Sequence, residues 1–190
     1  FYVDMTGYFA SNWYSGQRSP AGSSSVAYGN FEGHQSGVYT EGGYKFDMGH
    51  DIVLTPLTSL QWTHLAIDGY GETSAGVLDA QVDRQSYDIL ESGLGAGISK
   101  KLQYNWGSVT PEFHAKWLYD FINDRMKMTV NLPGASYVAL GANPGRDAAD
   151  LGGRLSFDLP HGVSFIAQCD TQIRDNFFEV SGSVALKYKF

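Results

Sequence analysis

The end of this chain alternates apolar and polar side chains residue by residue. Its last eleven residues read VSGSVALKYKF, and the alternation begins near Phe178, so it runs for about thirteen residues. Successive side chains of a β-strand point to opposite faces, so the large apolar residues share one face and the lysines the other. A tilted strand crosses a bilayer with about 9 to 11 residues. The pattern predicts a strand of a membrane β-barrel, with lipid on one side and a polar interior on the other.

Composition excludes several classes of protein. Asp and Glu total 20 against 13 Lys and Arg, a net charge of −7, which argues against a nucleic acid partner. No stretch approaches the roughly 18 apolar residues of a transmembrane helix. Cys169 is the only cysteine, so neither an internal disulfide nor a thiolate metal site is expected. We expect no metal and no cofactor.

Seven further segments show the same two-residue period. The eight predicted strands cover about residues 1–14, 38–48, 52–65, 87–100, 109–121, 150–159, 163–173 and 178–190. The segment 109–121 is the most polarised: Phe113 and Trp117 share one face, while Glu112, His114 and Lys116 share the other. The sequence therefore predicts an all-β fold, an antiparallel transmembrane barrel with eight strands in this chain.

Alternation alone does not separate a membrane barrel from a soluble β-sandwich, because both have one polar and one apolar face. The connections do. Residues 15–35, 68–84 and 122–146 form long connections, and residues 49–50, 101–108 and 160–161 form short ones between them. Membrane barrels have short periplasmic turns and long outer loops. The short hairpin at 174–176 is the exception, and the remaining pattern favours the membrane barrel.

Several blocks of the sequence, in order, resemble the autotransporter β-domain, the translocator of type V secretion. These blocks are FYVDM at 1–5, EGGYKF at 41–46, LTPLTSLQWTHL at 54–65, GLGAGIS at 93–99, VTPEFHAKWLYDF at 109–121 and VALKYKF at the end. The resemblance implies an outer-membrane barrel, inserted by the barrel insertion machinery, through which the protein's own N-terminal passenger reaches the cell surface. The partners implied are that machinery, that passenger and outer-membrane lipid.

The resemblance also implies a barrel of twelve strands whose lumen holds a helix that leads to the passenger. We therefore expect residues 1–190 to be one translocator domain that lacks the helix and about four N-terminal strands. The alternative is a complete eight-stranded barrel with a structural or adhesive role and no transport. Eight strands enclose only enough room for side chains.

The polar face of the strands would line the lumen of such a barrel. The residues expected there are Asp4, Glu41, Lys45, Asp47, Glu91, Glu112, His114, Lys116, Asp120, Arg154 and Asp158. The competing interpretation is a salt-bridge lattice that fills a closed barrel. At the end of the chain, Val184, Leu186, Tyr188 and Phe190 are expected to form the assembly signal.

A membrane hydrolase is the third hypothesis. Its histidine would need a carboxylate and a nucleophile within hydrogen-bond reach. The only local candidates are His64 with Asp68 and His114 with Glu112, and no serine is fixed beside either pair, so no catalytic residue is predicted. The glycine run at 93–97 lacks the third glycine of a dinucleotide fingerprint. Its expected role is to let the strand bend or let another group approach closely.

Overall fold

A computed structural model describes residues 1–141, 143 and 145–189. The described chain consists almost entirely of β-strands, joined by turns and two short 3₁₀ segments. In chain order, the strands are β1 (Tyr2–Arg18), β2 (Ala27–Gly43), β3 (Phe46–Asp47), β4 (Ile52–Ile67), β5 (Tyr70–Gly71), β6 (Gln81–Val82), β7 (Gln85–Lys100), β8 (Leu102–Tyr104), β9 (Gly107–Asp120), β10 (Lys127–Leu132), β11 (Ala135–Leu140), β12 (Asp147–Asp158), β13 (Val163–Arg174) and β14 (Phe177–Tyr188). None of the helical segments in the described part of the chain is long and apolar enough to cross a membrane.

The eight long strands form one antiparallel sheet that curls into a half-barrel. Their order is β1-β2-β4-β7-β9-β12-β13-β14, so neighbours in the sheet are also neighbours along the chain. Strands β1 and β14 are the two edges, and no ladder joins them among the described residues. The predicted antiparallel, membrane-barrel type of fold is confirmed, and the described sheet is open.

The first hairpin is longer than predicted. The sequence prediction placed a loop at 15–35, but β1 continues to Arg18 and β2 begins at Ala27. Their ladder is continuous from the pair Tyr2 and Gly43 to the pair Arg18 and Ala27. This part of β2 is rich in glycine and polar residues and resembles a loop by composition. Strand pairing overrides that local preference, because the ladder gives a partner to the backbone groups of β1 and β2 that face each other.

The convex face of the sheet carries the large apolar side chains, and they are exposed. Val184 and Leu186 of β14 are 71% and 75% exposed, and Phe113 of β9 is 65% exposed. Cys169 is exposed as well, as its place on the predicted apolar face implies. Such a surface would be unfavourable in water and matches the apolar outer band of a membrane barrel. In a soluble sandwich these side chains would instead be the core.

The only hydrophobic core of the described residues lies in a second, smaller sheet. Strands β5, β6, β10 and β11 form it, and they come from the two long connections at 68–84 and 121–146. Ala80, Val82 and Val130 are buried at its centre, with Met128 packed against them. Both connections leave the main sheet at the end opposite the last residues of β14. They are long connections, which membrane barrels have on the outside, so we call this unit the outer sheet.

The outer sheet lies against the concave side of the first hairpin. Tyr70 stacks on Phe31 with 4.4 Å between ring centroids, and Phe31 in turn stacks on Tyr14 at 5.0 Å. Arg18, at the end of β1, donates through Nε to Glu72 Oε1 at 3.0 Å and through Nη2 to Leu78 O at 2.8 Å. These contacts hold the outer sheet over one side of the mouth of the curled main sheet.

The assignment of faces predicts different effects for two neighbouring substitutions in β12. Leu155→Arg places a charge on the lipid face and should destabilise the folded protein by about 2 to 4 kcal/mol if it lies near the bilayer midplane. Ser156→Arg places the same charge on the polar face and should cost much less. The free energy of unfolding in lipid vesicles measures both effects. Equal losses, or a larger loss for Ser156→Arg, would contradict the register.

The attachment of the outer sheet should depend on pH. Hydrogen bonds from Arg18 hold the pKa of the Glu72 carboxyl below its ordinary value, although burial opposes the shift. A carboxyl with a lowered folded-state pKa contributes stability that is full above its unfolded-state pKa and is lost as the pH falls through its folded-state pKa. We expect the protection of amides in β5 and β6, measured against the intrinsic exchange rate at each pH, to fall in acid.

The variant Glu72→Gln provides the control, because glutamine keeps the shape and lacks the titrating charge. The protection of amides in β5 and β6 of this variant should already be lower at neutral pH and should change little on acidification. An acid response equal to that of the parent protein would exclude Glu72 as its source.

Candidate functional site

The concave face of the main sheet encloses a polar cavity of about 710 Å³. Every long strand contributes to its wall, from Tyr2 and Asp4 of β1 to Ser181 of β14. The strands deliver these groups because polar residues recur at every second position, facing away from the apolar convex side. The cavity is the concave feature in which most of the chain's inward-facing charges meet.

Seven of the eleven residues predicted on the polar face line this cavity. They are Asp4, Glu41, Lys45, Glu112, His114, Lys116 and Arg154. The other four lie toward the ends of the sheet. Glu91 binds Arg174, Asp120 accepts a hydrogen bond from the backbone N–H of Ile122, Asp47 accepts one from Gly49, and Asp158 accepts two from Ser108 and Ser164.

Glu41 is the centre of the first half of a hydrogen-bond network. The hydroxyl of Tyr2 donates to Glu41 Oε1 at 2.8 Å, and the hydroxyl of Tyr39 donates to Oε2 at 2.6 Å. Lys116 Nζ lies 3.9 Å from the same Oε2, having crossed from β9 toward β2. Two neutral donors and one cation thus stabilise the Glu41 carboxylate in a site that is only partly open to water.

His114 is the centre of the second half of the network. Its Nε2 lies 3.0 Å from Asp150 Oδ1 on β12 and 3.4 Å from Asp170 Oδ1 on β13. Lys116 Nζ lies 3.6 Å from the same Asp150 oxygen and joins the two halves. From Asp170 the network continues through Gln168, whose amide donates to Oδ2 at 2.8 Å and whose carbonyl accepts from Arg154 at 3.0 Å. Polar side chains therefore connect β1 to β13.

A separate ion pair crosses the outer end of the same face. Arg174 of β13 binds Glu91 of β7, although β9 and β12 lie between their strands. Both side chains are about nine-tenths buried, at 10% and 11% exposed. Arg174 also donates to the carbonyl oxygen of Gly145 at 3.4 Å. A buried pair of this kind is destabilised strongly when one partner is removed, because the other charge stays buried and unpaired.

Glycines make room for these long cross-strand contacts. A Cβ atom on Gly95 would collide with the backbone and side chain of Lys116, its partner in the β7–β9 ladder. A Cβ atom on Gly152 would collide with both the His114 ring and the Asp170 carboxylate, because Gly152 stands between those residues in the sheet. The sequence suggested that the glycine run at 93–97 lets another group approach closely, and Gly95 does so for Lys116.

The two local histidine–carboxylate pairs that the sequence offered as candidates for a hydrolase do not form. His114 contacts Asp150 and Asp170 instead of Glu112, and His64 lies 3.0 Å from Asp88 instead of contacting Asp68. His64 and Asp88 face each other directly across the β4–β7 ladder, where side chains lie close together. His114 faces Gly152 of β12, which has no side chain, so its ring reaches past that glycine to Asp170 and diagonally to Asp150. In the described part of the chain, His114 makes no hydrogen bond with a serine, threonine or cysteine. Nor do the described residues contain a group of three or more His, Cys, Asp or Glu that could hold a metal ion.

Several members of the network were absent from the residues predicted to line the lumen. Tyr2, Tyr39, Asp150, Gln168 and Asp170 all line the cavity. The polar face of the predicted strand 163–173 already contained Gln168 and Asp170, and that position was the available signal. Aromatic rings ordinarily suggest the lipid interface. The only signal for the two tyrosines was their position: Tyr2 lies two residues from Asp4 and Tyr39 two residues from Glu41, so each shares a strand face with that acid.

Two adjacent glycines of β12 provide a test of the His114 site. Gly152→Ala should destabilise the folded protein by about 1 to 3 kcal/mol, because the new methyl group pushes His114 away from Asp170. Gly153→Ala is the matched control, because its methyl group on the other face would meet the Phe113 ring at 3.6 Å and the Glu112 carbonyl oxygen at 3.9 Å, both ordinary contact distances. It should be neutral or slightly stabilising. Unfolding in lipid measures both, and equal effects would refute the proposed crowding at Gly152.

Comparison with known proteins adds independent evidence. The family model described as "Autotransporter beta-domain" matches residues 1–170. Two similar curated proteins are both named "Outer membrane protein A", one from Rickettsia rickettsii and one from Rickettsia conorii. Each is 28% identical over 155 residues, which is 78% of this chain and 7% of the relative. The matched region thus spans only a small part of the length of these relatives.

The family match covers most of the chain and agrees with a curled antiparallel sheet that has a polar concave face and an apolar convex face. Membership of this family places the chain in the bacterial outer membrane as a translocator domain of type V secretion. This chain belongs to the autotransporter β-domain family.

Proposed function

We propose that the polar cavity of the concave face is part of the path by which an N-terminal passenger crosses the outer membrane. The observation that carries this proposal is that all eight long strands contribute to the wall of one cavity while their large apolar residues face the other way. On this proposal Asp4, Glu41, Lys45, Glu112, His114, Lys116 and Arg154 line the path. Polar walls solvate the backbone of a passing chain, which hydrocarbon cannot do.

The other four predicted residues are assigned to the two ends of the path. Glu91 with Arg174 and Asp120 lie toward the outer end, where β7 and β9 meet the outer sheet. Asp47 and Asp158 lie near the turns at the opposite end, where Asp47 accepts one hydrogen bond and Asp158 accepts two. These four residues support the path by stabilising the turns and strand ends at its two openings.

A structural lattice remains the second candidate role for these residues, and the contacts give it a specific basis. Glu41, His114 and Lys116 all have partners within the wall itself. A lattice of that kind stabilises the sheet whether or not a passenger passes. The two roles differ in what happens when the cavity is narrowed without breaking the network.

We infer that the chain has no hydrolytic activity. The family is one of translocators, and His114 is held between two carboxylates with no nucleophile bonded to it in the described residues. A triad would place the histidine between one carboxylate and one nucleophile. The arrangement found here instead fixes the ring in the wall.

The edges of the main sheet suggest two further partners. An unpaired strand edge is not tolerated in hydrocarbon, where each unsatisfied backbone group costs several kcal/mol, so we propose that further strands pair with β1 and β14 in the intact protein. We also propose that the insertion machinery recognises β14 through the exposed side chains of Val184, Leu186 and Tyr188, which share its convex face. Phe190, the fourth residue of the expected assembly signal, lies outside the described residues.

The export path can be tested by narrowing the cavity at Gly97. A Cβ atom there would meet nothing closer than 3.5 Å, and Gly97 lines the cavity, so a tyrosine fits the backbone and projects into the space. In the intact protein, Gly97→Tyr should reduce surface display of the passenger several-fold and leave insertion of the barrel unchanged. Labelling of the passenger on whole cells measures the first quantity, and heat-modifiable mobility of the barrel measures the second.

Gly153→Tyr is the matched control, because Gly153 lies on the convex face with only Phe113 near it. It adds the same ring to the lipid side and should change neither quantity. Normal display with Gly97→Tyr in a correctly inserted barrel would favour the structural lattice over the export path.

A further inference from the structure

A second cavity lies outside the proposed path, where the start of β7 meets the connection before β10. It has a volume of about 160 Å³ and is lined by Arg84, Gln85, Ser86, Tyr87, Asp124, Arg125, Lys127 and Thr129. We call it the outer notch. Three of its eight lining residues are cations and one is an acid, whereas the whole chain has 13 basic and 20 acidic residues. The outer notch is thus a positively charged site on an acidic protein.

The walls of the outer notch are held by hydrogen bonds that do not involve the charged groups of its cationic side chains. The hydroxyl of Tyr87, a buried residue, donates to the Lys127 carbonyl oxygen at 2.9 Å. On the other side, the backbone N–H of Asp83 donates to the Thr129 carbonyl oxygen at 3.2 Å, next to the ladder that joins β6 and β10. These contacts fix Lys127 and Thr129 beside the residues that begin β7.

The cations themselves are largely uncommitted. Arg84 lies 3.8 Å from Asp68 in a pair whose arginine side chain is 70% exposed, which is a weak interaction. The ion pairs of the described residues include neither Arg125 nor Lys127. Arginine offers a planar pair of N–H donors that suits phosphate, and Ser86 and Thr129 add hydroxyl groups to the wall. The chemistry of the outer notch therefore fits a phosphate group.

The surroundings of the outer notch indicate where that phosphate comes from. Met126 lies between the two free cations in sequence and is 49% exposed, and Phe121 and Ile122, just after β9, are also exposed. Cations beside exposed apolar residues, at the outer end of the membrane-spanning strands, suit a molecule with an anionic head and an apolar tail.

We propose that the outer notch binds the anionic, phosphate-bearing headgroup of a lipid in the outer leaflet. Arg84, Arg125 and Lys127 contact the phosphate oxygens, and the acyl chains lie along the apolar surface near Phe121 and Met126. Such a lipid would tie the outer sheet to the membrane surface, because Arg84 precedes β7 and Lys127 begins β10. Free phosphate carries the same charge and lacks the acyl chains, so the two sources are separable by experiment.

The test uses the purified intact protein in a neutral detergent, with phosphatidic acid and phosphatidylcholine as probes. Native mass spectrometry counts the lipids retained. The parent protein should retain phosphatidic acid in preference to phosphatidylcholine. Replacing two cations, in Arg125→Gln with Lys127→Gln, should weaken that preference about tenfold to thirtyfold. The matched control is Lys100→Gln with Lys101→Gln, which removes the same charge at the other end of β7 and should change nothing.

Three results would overturn the proposal. They are equal losses in the double variant and the control, no preference for phosphatidic acid in the parent protein, and displacement of the lipid by an equal concentration of inorganic phosphate. The last result would make the outer notch a site for free phosphate. Circular dichroism checks the fold of each variant, and if the double variant does not fold, Arg84→Gln alone decides between the same outcomes.

Discussion

The backbone of a strand in hydrocarbon has no water to bind, so its N–H and C=O groups must pair with neighbouring strands. In this protein that requirement organises the main sheet. Within the bilayer it keeps β1 and β2 paired without a break although β2 contains many glycine and polar residues. It also fixes which side chains share a face, because a slip of one residue would turn every apolar side chain inward.

Much of the fold could be predicted from the two-residue period, because that period is local. Whether Leu155, Glu112 and Val184 lie on the apolar or the polar face follows from the alternation along their own strands alone. Other features depend on register between strands, which no single segment encodes. Asp170 reaches His114 only because Gly152 lies between them in the sheet, and Glu91 meets Arg174 across two intervening strands. The outer sheet could not be predicted either, since β5 and β6 are each only two residues long.

The glycines of the concave face are as important to the network as its charges. Long side chains repeatedly lie over a glycine of the neighbouring strand: Tyr2 over Gly43, Tyr8 over Gly37, and Lys116 over Gly95. Tyr8 thereby reaches Thr63 on β4, two strands away from β1, with 2.5 Å between their hydroxyl oxygens. In each case a missing side chain on one strand creates space for a polar contact with a more distant one. The result is a wall whose charges are mostly satisfied by one another and which still encloses space.

The outer sheet differs from the rest of the molecule in its solvent. Ala80, Val82 and Val130 are buried against one another, as in a water-soluble domain, whereas the main sheet turns its apolar residues to lipid. The stability of the first unit derives from exclusion of water and that of the second from transfer into the bilayer. Its two connections must therefore reach the cell exterior before their shared core can form. We therefore expect the two sheets to form in succession, the main sheet during insertion and the outer sheet after it.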